Sequence, residues 1–153
     1  MSLFRTLMLP FLLSGCITGE VAKQNIADGL AYRTQNQQTE GVTTLENGLQ
    51  YKVLVAGSGQ KPNRNSRVSV HYRGSLVDGT EFDSSYARGK PIVFGLTQVI
   101  KGWGEALLLM PEGSTWQVVI PPELGYGMQG QGRKIGPSAT LVFTIQLIKV
   151  INI

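Results

Sequence analysis

Residues able to do covalent or metal chemistry are scarce in this chain. It has one cysteine, Cys16, and one histidine, His71. No disulfide can therefore form within it, and a zinc site of the usual His/Cys composition is not expected. A Ser-His-Asp triad would have to run through His71. That residue lies in RVSVHYRG, where Val68, Val70 and Tyr72 alternate with Ser69, His71 and Arg73, so strand alternation sends it to the face opposite the apolar set. Ser84-Ser85 has no G-x-S-x-G elbow around it and reads as a polar turn after Asp83. GYGMQG, Gly125 to Gly130, matches the letters of the dinucleotide fingerprint. IPPEL before it and QGRKIGP after it do not supply the strand and helix that phosphate binding needs, and the stretch reads as a loop.

What the chain does carry is a conspicuous tryptophan. QVIKGWGEAL, Gln98 to Leu107, has helical amphipathicity, yet Gly102 and Gly104 bracket Trp103. Each glycine inside a helix costs about 1 kcal/mol relative to alanine. Something must approach this helix closely. Trp103 is then either plain core or the floor of a concavity, and periodicity alone favours core.

The elements that would position it follow from the flanking pattern. LQYKVLVAG, SRVSVHYRG, PIVFG, STWQVVIP and ATLVFTIQLIKV read as strands; Trp116, Val118 and Ile120 share one face of theirs, and Leu141, Phe143, Ile145 and Leu147 share one face of theirs. Asp78-Gly79 signals a hairpin with a type I′ turn, and Gly57 to Ser66 is a solvated loop. A helix over Gln98 to Met110, stopped by Pro111, is the only cover for the apolar sheet face. The expected fold class is α+β: a curved antiparallel β-sheet wrapped on one short α-helix.

The 153 residues, 42% hydrophobic, suit one such domain with an appendage, and the net charge of +4 is spread without the basic stripe of a nucleic-acid binder. The N-terminal MSLFRTLMLPFLLSGC has Arg5, an apolar run and small residues before the cysteine, the layout of a secretory signal over 1–15. Leu13-Ser14-Gly15-Cys16 matches the bacterial lipobox, so Cys16 is the expected lipidation site and the membrane an expected partner. Acyl chains contribute about 0.8 kcal/mol per buried methylene. Ile17 after the cysteine implies, by the same resemblance, passage to an outer membrane. Residues 16–44 form a spacer, read either as a helix over about 20 to 38 carrying Ala22, Ile26 and Leu30 or as a disordered tether. The main domain is 45–153.

VHYRGSLVDGTEFDSSYARGKPIVF, QVIKGWGEALLLMPEGSTWQVVIPPELGYG and IGPSATLVFTIQLI together resemble an FKBP-type peptidyl-prolyl cis-trans isomerase over about residues 45 to 150. EGVTTLENGLQYKV and EALLLMPEGSTW are similar to the Mip branch of bacterial envelope isomerases. The resemblance implies a shallow apolar cup for a proline ring, with Trp103 as floor and Tyr72, Phe82, Val99, Ile100 and Phe143 as walls. It also implies that the Ile100 N–H meets the carbonyl following the bound amide. Asp83 would stand beside the twisting carbonyl, held by Tyr72 and Arg88, while Tyr126 offers a flap hydroxyl and Ile135 lines the flap. Ile92 stands where many members have phenylalanine, and Gln131 where many have histidine; both are expected to border the cup.

The implied chemistry needs no cofactor and no metal. X-Pro isomerisation is slow because rotation breaks amide resonance, a barrier of about 18–20 kcal/mol. The planar amide is more polar than the twisted one, so an apolar cup favours the twisted form, each 1.36 kcal/mol giving about tenfold in rate. The implied partners are proline-containing polypeptides and macrolide inhibitors such as tacrolimus and rapamycin. The rival reading is a non-catalytic proline-binding chaperone or adhesion module on the same fold.

Overall fold

Val68, Val70 and Tyr72 alternate along Arg67–Leu76 and all three are buried, so the period-2 pattern decides which sheet face meets the core. The computed structural model describes residues 14–152; the expected leader, 1–15, lies outside the described residues but for its last two positions. In chain order the elements are α1 (Ser14–Asn36), β1 (Val42–Thr44), β2 (Gln50–Val55), β3 (Arg67–Leu76), β4 (Glu81–Ser84), α2 (Ser85–Arg88), β5 (Ile92–Gly95), α3 (Lys101–Leu109), β6 (Thr115–Ile120) and β7 (Leu141–Ile151). Single 3-10 turns at Pro122–Leu124 and Gly127–Gln129 lie between β6 and β7.

The strands form one antiparallel sheet in the order β1-β2-β6-β7-β3-β4, with β5 also on β3. Its spine is the β3–β7 pair, running from Arg67↔Ile151 to Leu76↔Leu141 with one register shift between Ser69 and Val70. The other edge of β3 is shared: Arg67 to Val70 pair with β5, and Arg73 to Ser75 pair with β4. That division interrupts the ladder at Tyr72, and Ser85, at the start of α2, fills the gap. Its Oγ accepts the Tyr72 N–H at 2.7 Å. His71, on the opposite face as its alternation predicts, stacks on Tyr86 with centroids 4.5 Å apart and meets the same Ser85 Oγ through Nδ1 at 2.8 Å.

Helix α3 fills the concave side, burying Gly102, Trp103, Ala106 and Leu107. It is shorter than the Gln98–Met110 span that periodicity predicts. Gln98 forms a turn back to Gly95, and Met110 is extended (φ −85°, ψ 122°) because the residue before a proline avoids helical backbone. The close approach is real at Gly102, where a Cβ would lie 2.7 Å from Ile120 Cγ2 on β6. At Gly104 a Cβ would meet only the Leu96 carbonyl at 3.5 Å, an ordinary contact.

Two local readings are corrected. The β3–β4 hairpin is not a type I′ turn: Gly79 has φ +90° while Asp78 does not have positive φ. Leu76 O accepts the Gly79 N–H, and Leu76 N–H donates to Thr80 O, the three-residue loop with glycine in the left-handed position. The N-terminal helix forms, but it docks through a polar face. Asn25 Nδ2 donates to Pro137 O at 2.9 Å, and Gln50 Nε2 donates to Arg33 O at 2.8 Å. Gly29 is buried where a Cβ would strike Thr140 Oγ1. Ile26 and Leu30, expected to form its apolar stripe, are 51% and 58% exposed.

Candidate active site

Trp103 emerges from the first turn of α3 into a ring of aromatics contributed by three strands. Tyr72 from β3, Phe94 from β5 and Phe143 from β7 meet it edge to face at centroid distances of 5.1, 5.7 and 5.3 Å, with interplanar angles of 84–89°. Phe82 from β4 continues the pattern against Phe143 at 5.5 Å and 85°. Such geometry places the positive edge of each ring on the negative face of the next. It leaves an apolar cavity of about 350 Å³ with Trp103 at its base. That size is at the small end of ligand sites.

Phe82 and Asp83 are consecutive, and regular strand alternation would send them to opposite faces. Both line the cavity. The cause is a bulge: Asp83 pairs with Gly74 and Glu81 with Ser75, leaving Phe82 as the extra residue. Gly74 is required opposite it, since a Cβ there would lie 2.7 Å from the rings of both Phe82 and Phe143.

Asp83 is the one carboxylate lining the cup. Its Oδ2 accepts the Tyr72 hydroxyl at 2.5 Å, and its Oδ1 accepts Arg88 Nη1 at 2.6 Å. Arg88 Nη2 also donates to the Tyr72 hydroxyl oxygen at 2.9 Å. Burial alone would raise the Asp83 carboxyl, but the hydrogen bonds from Tyr72 and Arg88 outweigh it and hold the group below its ordinary value. Asp83 is therefore an anchored anion at neutral pH. Burial, followed by the Asp83 hydrogen bond, raises the Tyr72 phenol.

Tyr126 sits between the two 3-10 turns on the flap. Burial, and then the charge of Asp83, raise its phenol above the ordinary value, so it stays a donor. Its hydroxyl has no partner among the hydrogen bonds of the described residues. Nor does the backbone N–H of Ile100, which precedes α3 with φ −58° and ψ 153°. Two donors thus border an apolar cup with a fixed carboxylate beside them. That set can hold a carbonyl-bearing apolar ring; it has no nucleophile–base pair.

Of the residues singled out in the sequence, Tyr72, Phe82, Asp83, Val99, Ile100, Trp103, Tyr126 and Phe143 line one cavity. Arg88 lies behind Asp83. Ile92, Gln131 and Ile135 do not line the cup. Ile92 pairs with Val70 further along β5. Gln131 and Ile135 pair with each other across the flap hairpin; Gln131 is exposed, while Ile135, 6% exposed, belongs to the core. Phe94 and Gln98 are lining residues that sequence reasoning missed. Phe94 is two residues after Ile92 and shares its face, so alternation alone could have found it. Gln98 carried no such signal.

Comparison with known proteins agrees with this geometry. The model of the FKBP-type peptidyl-prolyl cis-trans isomerase matches residues 58–148, and that of the domain amino terminal to FKBP-type peptidyl-prolyl isomerase matches 18–53. The chain is 52% identical over 126 residues to the peptidyl-prolyl cis-trans isomerase Mip of Coxiella burnetii, covering 82% of this chain and 55% of that protein. It is 50% identical over 129 residues to the outer membrane protein MIP of Legionella longbeachae, covering 84% and 55%. The chain thus spans about half the length of these curated relatives. The crystal structure of FkpA from Escherichia coli superposes with a TM-score of 0.87 at 42% identity, covering 90% of this chain and 64% of that one. A peptidyl-prolyl cis-trans isomerase from Pseudomonas syringae gives 0.79 at 38%, covering 86% and 96%. With the bulge, the aromatic floor and the anchored carboxylate in one matched segment, this chain belongs to the FKBP-type peptidyl-prolyl cis-trans isomerase family.

Proposed function

We propose that the chain is a peptidyl-prolyl cis-trans isomerase that acts on X-Pro bonds of cell-envelope proteins and assists their folding. The observation that carries this is the cup itself, three rings standing edge-on around Trp103 with one anchored carboxylate at the rim. The proline ring rests on Trp103 between Tyr72, Phe82, Val99 and Phe143. The Ile100 N–H takes the carbonyl following the bound amide, and the Tyr126 hydroxyl donates to substrate. Asp83, fixed by Tyr72 and Arg88, faces the amide carbonyl as it leaves the plane. Desolvation favours the less polar twisted amide, and the hydrogen bonds tighten as it forms. No covalent intermediate arises. Phe94 completes the wall, Ile92 and Ile135 support the cup and flap from behind, and Gln131 stands exposed on the flap.

Location in the envelope is supported by the relative named an outer membrane protein and by the lipobox cysteine, Cys16, which would carry the anchor. Macrolides such as rapamycin and tacrolimus fit the same reading as ligands of the cup. The test is cis/trans exchange of a Leu-Pro peptide by NMR with the full chain, with and without rapamycin. Acceleration abolished by the drug is expected. A folded protein that binds the peptide without accelerating exchange would replace the enzyme by a binding module.

A further inference from the structure

The cup has a neighbour. Gln98 lines it and also lines a second, shallower cavity of about 380 Å³ walled by Arg64, Arg67, Gly95 and Thr97. The first cavity is walled largely by aromatic residues, the second by polar residues and two arginines. Among the described residues the ion pairs are Glu20–Lys23, Arg73–Glu81 and Arg88–Asp83, so neither Arg64 nor Arg67 has a carboxylate partner.

The backbone beneath the two arginines is held in place. Arg67 opens β3 in register with Gly95. Arg64 lies in a turn clamped by Asn63 and Ser66: Ser66 N–H donates to Asn63 O at 3.0 Å, and Asn63 N–H donates to Ser66 Oγ at 2.9 Å. Gln98 is oriented as well. Its Oε1 accepts the Gly95 N–H at 3.0 Å, which leaves its NH₂ as a donor without an acceptor among the described residues. A groove along α3, shared at Arg64, adds Lys101 and Glu105, whose opposite charges offset. The charge of this end of the site therefore rests on Arg64 and Arg67.

A polypeptide seated with its proline on Trp103 must leave the cup at both ends. The end that passes Ile100 meets both neighbouring cavities, since Val99 and Ile100 border the groove along α3, Gln98 borders the cationic one, and Arg64 lines both. We infer that Gln98, Arg64 and Arg67 form a subsite for the segment following the proline, Gln98 donating to a backbone carbonyl and the arginines selecting an acidic side chain within the next few residues. The inference rests on the isomerase reading and adds a substrate preference to it.

The test compares isomerisation kcat/KM of the full chain on Leu-Pro peptides with Glu, Gln or Lys two residues after the proline, and on a second series with the same residues ahead of the leucine. Glu should be preferred over Lys by roughly three- to tenfold in the first series, the size of one or two exposed charge contacts. The preference should collapse in about 1 M salt, where the screening length is about 3 Å. Arg64→Gln with Arg67→Gln should bring the three peptides together, and Arg64→Glu with Arg67→Glu should turn the preference toward Lys. Equal kcat/KM across the first series, with the neutral peptide still accelerated, would overturn the subsite and leave the isomerase standing. A preference that survives the double variant, or is as large in the second series, would overturn it too. No acceleration of the neutral peptide would remove the isomerase reading beneath it.

Discussion

The Tyr72 hydroxyl lies 2.5 Å from Asp83 Oδ2 and accepts from Arg88 Nη2 at 2.9 Å. Its single proton is committed to the carboxylate, so Tyr72 has no donor left for a ligand. It is a wall and a strut. The phenol without a protein partner among the described residues is Tyr126, and the two tyrosines of the cup therefore differ in what their removal should do.

Tyr126→Phe deletes only a donor that faces the cup. Thermal stability should stay within about 1–2 °C of wild type, while kcat/KM for a Leu-Pro peptide falls roughly three- to tenfold, the range of one neutral hydrogen bond. Because burial and the Asp83 charge raise the Tyr126 phenol, the wild-type rate should show no loss from this group through neutral and mildly alkaline pH. An unchanged kcat/KM in the variant would remove Tyr126 from substrate contact.

Asp83→Asn keeps the shape and removes the charge. A hydrogen bond to an ionised group is worth about 1.5–3 kcal/mol, so kcat/KM should drop by roughly ten- to a hundredfold. The same variant tests linkage. The folded Asp83 carboxyl lies below its ordinary value, so the charged group adds stability that is present above the unfolded carboxylate range, about pH 3.9. That contribution is lost as pH falls through the lower folded value. The wild-type advantage over Asp83→Asn in denaturant melts should be level above about pH 5 and vanish in acid. An advantage that grows as pH falls would reverse the assignment.

Ser85 Oγ accepts the Tyr72 N–H where β4 and β5 leave the β3 ladder unpaired. Ser85 is fully buried. Ser85→Ala should strand that N–H and cost about 1–3 kcal/mol, visible as a lower denaturation midpoint and faster hydrogen exchange at Tyr72. Protection of the Tyr72 amide equal to wild type would show that the sheet closes the gap by itself.

These relationships mark how far the sequence can be read. Period-2 runs place Val68, Val70, Tyr72 and the β7 face correctly, because alternation is a property of each strand alone. The cup was legible through family motifs, yet nothing in FDSS announces why neighbours Phe82 and Asp83 face the same way. That depends on a bulge, which is set by pairing with Gly74 on another strand. The α1 face was misread for a related reason. Asn25, Gly29 and Arg33 dock by hydrogen bonds and close backbone approach, and hydrophobic spacing is blind to both. Gln131 and Ile135 bridge each other across a short local turn, yet Ile135 joins the core and Gln131 is exposed, a placement set by how the flap packs on the domain rather than by the two residue types.

The two glycines beside Trp103 look equivalent in sequence and are opposite in structure. A Cβ on Gly102 would enter Ile120 at 2.7 Å, within a helix–sheet contact where both residues are buried. Packed cores answer such insertions with backbone or rotamer shifts costing typically about 1–3 kcal/mol. Moving α3 off β6 would also lift Trp103, so Gly102→Ala should lower both the melting temperature and kcat/KM. On Gly104 the same methyl meets only Leu96 O at 3.5 Å, and the residue is helical without positive φ. There alanine gains helix propensity and restricts the unfolded chain, about 0.4–1 kcal/mol in favour of folding. Gly104→Ala should therefore raise the melting temperature by roughly 1–4 °C for a chain of this length. Thermal melts of the two variants side by side decide it: a shared loss of stability would mean that the sheet presses on both sides of Trp103, and a shared gain would mean that neither glycine is needed for its approach.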